Sequence, residues 1–158
     1  MKIAFFGTGL MGSGFVRRMR ANGNDVNVWN RSGAKALALE AQGVRAFADP
    51  AAALAGAERI HLSLSDDASV DAVLEPIASM IPKGTWIVDH TTTAVTPTAE
   101  RVARWNARGL TFVHAPVFMG PPNALEGTGL MLVSGAKERH DALLPALQQM
   151  TGNVLYLG

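Results

Sequence analysis

At 158 residues, with 48% apolar and 17% charged side chains, the chain is long enough for one globular domain and too apolar to be disordered. A formal net charge of +1 gives no sign of the basic stripe that nucleic acid requires, and no apolar run nears the roughly 20 residues of a membrane span. There is no cysteine, so neither a disulfide framework nor a thiolate metal site is available; the apolar stretch after Lys2 is too short for a signal peptide, which leaves the cytoplasm as the default location.

Lys2 to Phe6 is a short apolar run of the kind a buried parallel strand needs. Glycines follow at once. Leu10 to Ala21 then carries Leu10, Met11, Phe15, Val16 and Met19 at helical spacing and stops at Asn22-Gly23-Asn24. Val26 to Trp29 reads as a second strand. Ser32 to Gln42 reads as an Ala/Leu helix with Ser32 as N-cap and Gly43 past its end. Arg45 to Phe47 is a short strand, and Asp49 with Pro50 opens a brief helix. Ile60 to Leu64 is the next strand, and Asp66 or Asp67 caps a helix running to about Met80. Strands at Trp86–Val88 and Leu110–Val113 flank a helix from Thr98 to Arg108. Met119 to Gly129 is a Gly/Pro-rich loop within the domain, long enough to suggest a functional role. Met131–Val133, a helix from Glu138 to Met150 and a strand from Val154 to Leu157 complete the chain. This alternation predicts an α/β domain spanning residues 1–158: a doubly wound, mostly parallel sheet with helices on both faces.

Gly7-Thr8-Gly9-Leu10-Met11-Gly12 follows the first strand directly and opens a helix. In that context G-x-G-x-x-G predicts a Rossmann-like dinucleotide site. Gly7 makes the turn, Gly9 lets a pyrophosphate approach, and Gly12 lets helix and strand pack closely. The alternative is a tight turn that holds no ligand. An NAD site would close the second strand with Asp or Glu; here it reads Trp29-Asn30-Arg31-Ser32. Arg31, with Ser32 and Lys35 adding donors, predicts NADP over NAD through a 2′-phosphate. A solvated arginine at a helix start is the plainer reading. A missing carboxylate also counts against S-adenosylmethionine or FAD.

Ligands in such sheets lie beyond the carboxyl ends of the strands. Three polar ends stand there: Ser63-Leu64-Ser65-Asp66-Asp67, Asp89-His90-Thr91-Thr92-Thr93 and His114-Ala115-Pro116-Val117-Phe118-Met119-Gly120. Ser65 and Asp66 fit a helix cap as well as a cofactor contact, and Thr91 to Thr93 fit a capping cluster as well as a site. His61 reads as a structural strand histidine and His140 as a solvated one. His90 and His114 stand at strand ends, where substrate could approach. No histidine or acidic spacing supports a metal site.

Five blocks in order (the glycine loop, Asn30-Arg31-Ser32, Leu64-Ser65-Asp66-Asp67, Asp89-His90-Thr91-Thr92, and His114-Ala115-Pro116-Val117 with Gly127-Thr128) resemble the β-hydroxyacid dehydrogenase family. That family includes 3-hydroxyisobutyrate dehydrogenases, with 6-phosphogluconate dehydrogenase and imine reductases as relatives. The resemblance covers the whole chain. It implies hydride transfer between NADP(H) and a small β-hydroxyacid or semialdehyde. The implied cofactor residues are Gly7, Gly9, Leu10, Met11, Gly12, Asn30, Arg31, Ser32, Lys35, Leu64, Ser65, Asp66 and Thr92, the last by the nicotinamide ribose. Phe118, Met119 and Gly120 fall where the family holds the substrate carboxylate. There Phe118 brings no hydroxyl and Met119 crowds the backbone, which favours a larger or more apolar substrate, an imine or ketone included. The family's proton-donor lysine would lie beyond Gly158, on a helix leading into an all-helical domain that completes the site and the oligomer. The chain therefore reads as the cofactor half of an enzyme, inactive or weakly active alone, with a non-catalytic nucleotide-binding module as the alternative.

Overall fold

The computed structural model describes residues 1–158. Its main sheet has six parallel strands: β1 (Lys2–Phe6), β2 (Asp25–Trp29), β3 (Arg45–Phe47), β4 (Arg59–Leu62), β5 (Trp86–Asp89) and β6 (Thr111–His114). They lie in the order β3-β2-β1-β4-β5-β6. The chain steps outward from β1 to β3, then returns to place β4 on the other side of β1. The reversal leaves a crevice above β1 and β4, the usual ligand position in this architecture.

β1 shows why the sheet is buried on both faces. Side chains alternate along a strand, so Ile3 and Phe5 enter one core while Ala4 and Phe6 enter the other. The first core is closed by α1 (Leu10–Ala21) and α2 (Gly33–Leu37), through Phe15, Val16, Met19 and Ala36. The second is closed by α3 (Pro50–Ala53), α4 (Asp67–Leu74) and α5 (Val95–Ala107), through Ala53, Val70, Leu74 and Trp105. Helices on both faces are thus as expected.

Several boundaries differ from the expectation. The helix foreseen over Ser32–Gln42 ends at Leu37, and a 3-10 turn at Glu40–Gln42 follows. Tight i→i+3 bonds there, such as Gln42 N to Leu39 O at 2.8 Å, occupy carbonyls that a helix end leaves free. Ser32 holds the N-cap position but makes no side-chain cap bond. α4 stops at Leu74, not at Met80, because Pro76 has no N–H to continue it; residues Glu75–Met80 form 3-10 turns. α5 begins at Val95, with Pro97 tolerated in its first turn.

The larger correction concerns Met119 to Gly129 and the segments around it. Val117–Phe118 is a strand, β7, and α6 (Pro121–Glu126) fills most of the expected loop. The local signals suit a short helix: proline in its first turn and Gly127 at φ +72° past its end. β7 pairs antiparallel with β8 (Leu130–Val133), which pairs parallel with β9 (Asn153–Tyr156). These form a separate three-stranded sheet. Met131 and Val133 of β8, with Leu143 and Leu147 of α7 (Lys137–Gln148), seal it onto the first core.

α4 and α5 are tied by Arg101, whose side chain is fully buried. Its Nε donates to Asp71 Oδ1 at 2.8 Å, and its Nη2 donates to Asp67 Oδ1 at 3.0 Å. The bond from Arg101 holds the Asp71 carboxyl below its usual range. Arg101→Met is expected to cost about 3 kcal/mol, the low end for breaking a buried ion pair, because both carboxylates keep contact with water. Urea unfolding at pH 7 would measure it, and an unchanged midpoint would refute the clamp.

Candidate functional site

β1 delivers the chain into the crevice at Gly7, whose N–H donates to Trp29 O at 2.9 Å across the β1–β2 seam. Gly7 has φ +93°, and a Cβ there would lie 2.2 Å from Ser63 O. A Cβ on Gly12 would lie 1.8 Å from Gly7 O, so α1 packs against the turn as only glycine permits. Gly9 faces open space, with no atom within 4 Å of a would-be Cβ. It is the N-cap of α1 and makes no side-chain cap bond, and the first turn carries no acidic residue. Free N–H groups and the positive end of a twelve-residue helix therefore face the opening, which suits an anion.

The crevice is a cleft of about 790 Å³. It gathers twelve of the thirteen foreseen cofactor residues: Gly7, Gly9, Leu10, Met11, Gly12, Asn30, Arg31, Ser32, Lys35, Leu64, Ser65 and Asp66. Thr92 is not among its walls and stands exposed past the end of β5. Ser63, at the polar strand end expected to face a ligand, lines it too, as do Trp29, Ala68, Ser69, Ala72 and Val73, which were not foreseen as contacts. Ala68, Ala72 and Val73 form one stripe of α4. Their helical spacing was legible, but the rotation of α4 about its axis is set by Val70 and Leu74 packing in the second core.

The polar groups of the cleft divide into two kinds. Some are committed within the protein. Asn30 Oδ1 accepts from Thr8 N at 2.8 Å while its Nδ2 donates to Ser32 O at 3.0 Å, so Asn30 braces the glycine loop against the turn after β2. Leu64 N donates to Thr91 Oγ1 at 3.0 Å, and the hydroxyls of Ser65 and Ser69 share a bond at 2.9 Å. Asp66 caps α4 by accepting from Ser69 N at 2.8 Å. Its bonds to Ser69, aided by the charge of Arg31, hold its carboxyl below the usual range. The others, Arg31, Ser32 and Lys35, stand exposed on the rim, and neither cation makes a salt bridge.

Phe118, Met119 and Gly120 lie outside the cleft, at the end of β7. Phe118 is 68% exposed. Met119 packs over Gly129, where a Cβ would meet its own at 2.7 Å. The Gly120 N–H is taken by Asn123 Oδ1 at 2.9 Å. His114 shares Nε2 contacts of 2.9 Å with Thr91 O and 3.1 Å with Thr93 Oγ1, beside a second cavity of about 620 Å³ between α5, β6 and α7.

Two histidine expectations change. His90 does not reach the sheet's open end; it is buried between His61 and Ala115 O. His140 is buried, not solvated: its ring lies 4.7 Å from that of Tyr156, because α7 turns this face onto β9. His61 is structural as expected, with both ring nitrogens partnered. No three His, Cys, Asp or Glu side chains gather to hold a metal, and no helix is long and apolar enough to cross a membrane.

The strand order, the reversal point and the glycine turn define a Rossmann-like dinucleotide-binding domain. The chain belongs to the family of the NAD-binding domain of 6-phosphogluconate dehydrogenase, whose model matches residues 2–158. It is similar to an uncharacterised oxidoreductase of Shewanella frigidimarina, 29% identical over 150 residues, which are 92% of this chain and 52% of that protein. Among solved structures, Mycobacterium tuberculosis 3-hydroxyisobutyrate dehydrogenase with L-serine superposes with a TM-score of 0.93 at 25% identity, over 98% of this chain and 53% of that one. Psf3 in complex with NADP+ and 2-OPP superposes at 0.91 and 28%, over 98% and 56%. The chain spans about half the length of the curated relatives it matches. It is a nucleotide-binding domain of the kind these oxidoreductases carry.

Proposed function

We propose that the chain is the NADP-binding half of an oxidoreductase that moves a hydride between NADP(H) and a small carbonyl-type substrate. The observation that carries the cofactor choice is the end of β2: Arg31, Ser32 and Lys35 on the cleft rim, with no carboxylate to receive a ribose 2′-OH. The residues present fit the group. Gly9 leaves a cradle beside the uncapped start of α1 for the pyrophosphate, and Leu64, Ala68, Ala72 and Val73 offer apolar walls for a base. When bound, the nicotinamide supplies the hydride. The chain's own part is to hold the phosphates, keep Arg31 against a 2′-phosphate and present the strand ends to the substrate.

The test is a titration with NADPH and NADH, read by energy transfer from Trp29, which lines the cleft. NADPH is expected to bind at least about tenfold more tightly, and Arg31→Ala to remove most of that preference while leaving NADH unchanged; one charge-assisted hydrogen bond is worth about that much. Equal affinities, or none, would overturn the assignment.

For the substrate, the β-hydroxyacid or semialdehyde implied by the resemblance competes with an imine or ketone. Phe118 and Met119, which bring no side-chain donor, and the occupied Gly120 N–H favour the second over a carboxylate-bearing substrate. Thr92 remains a proposed contact of the nicotinamide ribose. We place residues 1–158 as one domain, with the proton-donor lysine and the helical, oligomer-forming domain beyond Gly158. Turnover with a complementing helical domain, set against none without it, separates this enzyme from a non-catalytic binding module.

A further inference from the structure

A line of polar groups runs through the first hydrophobic core, where apolar side chains would have sufficed. Arg59 Nε donates to His61 Nε2 at 2.8 Å. A guanidinium can only donate, so His61 Nε2 is the acceptor and its proton sits on Nδ1. That Nδ1 lies 2.9 Å from His90 Nε2, which must then accept. The His90 proton is thereby on Nδ1, 2.9 Å from Ala115 O, to which it donates. One cation at the start of β4 thus dictates both tautomers. His61 is fully buried and His90 is 2% exposed. Phe5 stacks on His61 at 6.1 Å, and Phe15 lies 5.2 Å from His90. All four ring nitrogens are partnered, as burial of two imidazoles requires.

The relay ends at a particular place. Ala115 is the last residue tied to the six-stranded sheet, its N–H donating to Asp89 O at 2.7 Å. Pro116 has no N–H to give, and its carbonyl already accepts from Leu132 N of the second sheet at 2.9 Å. One residue later Val117 pairs with Met131. The chain therefore crosses from one sheet to the other at Ala115-Pro116, and Phe118 to Gly120 follow at once.

We propose that His61 and His90 are positioning residues: the relay from Arg59 to the Ala115 carbonyl fixes the crossing between the two sheets, and with it the direction of the Phe118–Gly120 segment. Only the description of that segment as substrate-facing rests on the function proposed above. The relay itself is a statement about this chain's hydrogen bonds.

The experiment uses the whole chain at pH 7. Ring nitrogen–proton NMR is expected to show Nδ1–H and a bare Nε2 on both histidines. His90→Leu is expected to speed amide exchange at Ala115 and Leu132 by about tenfold more than in β1 and β2, as local opening does. His90→Asn, whose amide nitrogen stands near the Nδ1 position, is expected to restore most of that protection. Arg59→Met acts from the far end: His61 should then populate both tautomers, and this variant carries the test if His90→Leu fails to fold. An Nε2–H tautomer on either ring of the parent chain, exchange that rises equally in every strand, or Asn behaving like Leu would each overturn the proposal. NADPH titration of the same variants keeps the two readings apart, because no relay residue lines the cleft. Parental affinity is expected throughout, and a parent chain that binds no NADPH would refute the cofactor reading while leaving the relay to the NMR result.

Discussion

Gly12→Ala is expected to abolish NADPH binding and to lower stability by about 2 kcal/mol, although alanine is the better helix former. Two effects oppose each other at this position. Alanine in place of glycine within a helix ordinarily gains about 1 kcal/mol. Here the added Cβ would sit 1.8 Å from Gly7 O and 3.0 Å from its carbonyl carbon, both backbone atoms that no rotamer change can clear. Overpacking of this kind costs about 1–3 kcal/mol or more, and relief requires α1 to move away from the turn. The movement carries off the N–H groups that would face the pyrophosphate, so loss of binding should exceed the loss of stability. Urea unfolding and NADPH titration would measure the two. Gly9→Ala is the control, since nothing lies within 4 Å of its would-be Cβ: it should fold like the parent chain. A Gly12→Ala chain that is more stable and still binds would show that the close packing of α1 on the turn is wrong.

The second large effect is acid sensitivity. Burial, with Arg59 and His90 adding to it, pushes the pKa of His61 well below its ordinary value. Burial likewise takes His90 down to about 4, against a partial rise from its bond to Ala115 O. An unfolded imidazole takes its proton near pH 6.5, so between that pH and about 4 the unfolded chain binds protons that the folded chain refuses. Stability is therefore flat with respect to these groups above about pH 6.5 and falls as pH drops below it. His90 alone accounts for about 3 kcal/mol by pH 4, at 1.36 kcal/mol per pH unit, and His61 adds to the loss. Asp89, whose pKa burial raises above the usual carboxylate value, works in the opposite direction near the bottom of this range. Urea unfolding between pH 7.5 and 4 should show the fall. A flat profile, or ring signals of His61 or His90 that titrate near 6.5, would exclude the buried relay.

The readability of the site from sequence follows from how local each feature is. The glycine turn is a matter of a few consecutive residues, so its residues and their separate tasks were accessible without coordinates, as was the Arg31 turn that closes β2. Asn30 shows the limit. Its place on the cleft could be read, but its bonds to Thr8 and Ser32 required the loop and the second strand to be brought side by side. His90 shows the same limit more sharply. A strand end predicts approach to substrate, yet Phe15 of α1 covers the ring, and the helix that does so comes from 75 residues earlier in the chain.

By itself the sequence determined the alternation of strands and helices, the dinucleotide turn and the family, because apolar period, glycine placement and short motifs are properties of neighbouring residues. Only the tertiary structure decided that the strands divide into two sheets, that Met119 to Gly129 holds a helix, and that Asn123 occupies the Gly120 N–H. It also decided that two histidines lie end to end inside a hydrophobic core. Each of these depends on which distant surfaces meet. Pairing partners, helix rotation and the burial of a polar group are set by packing, and packing is not encoded at any single position.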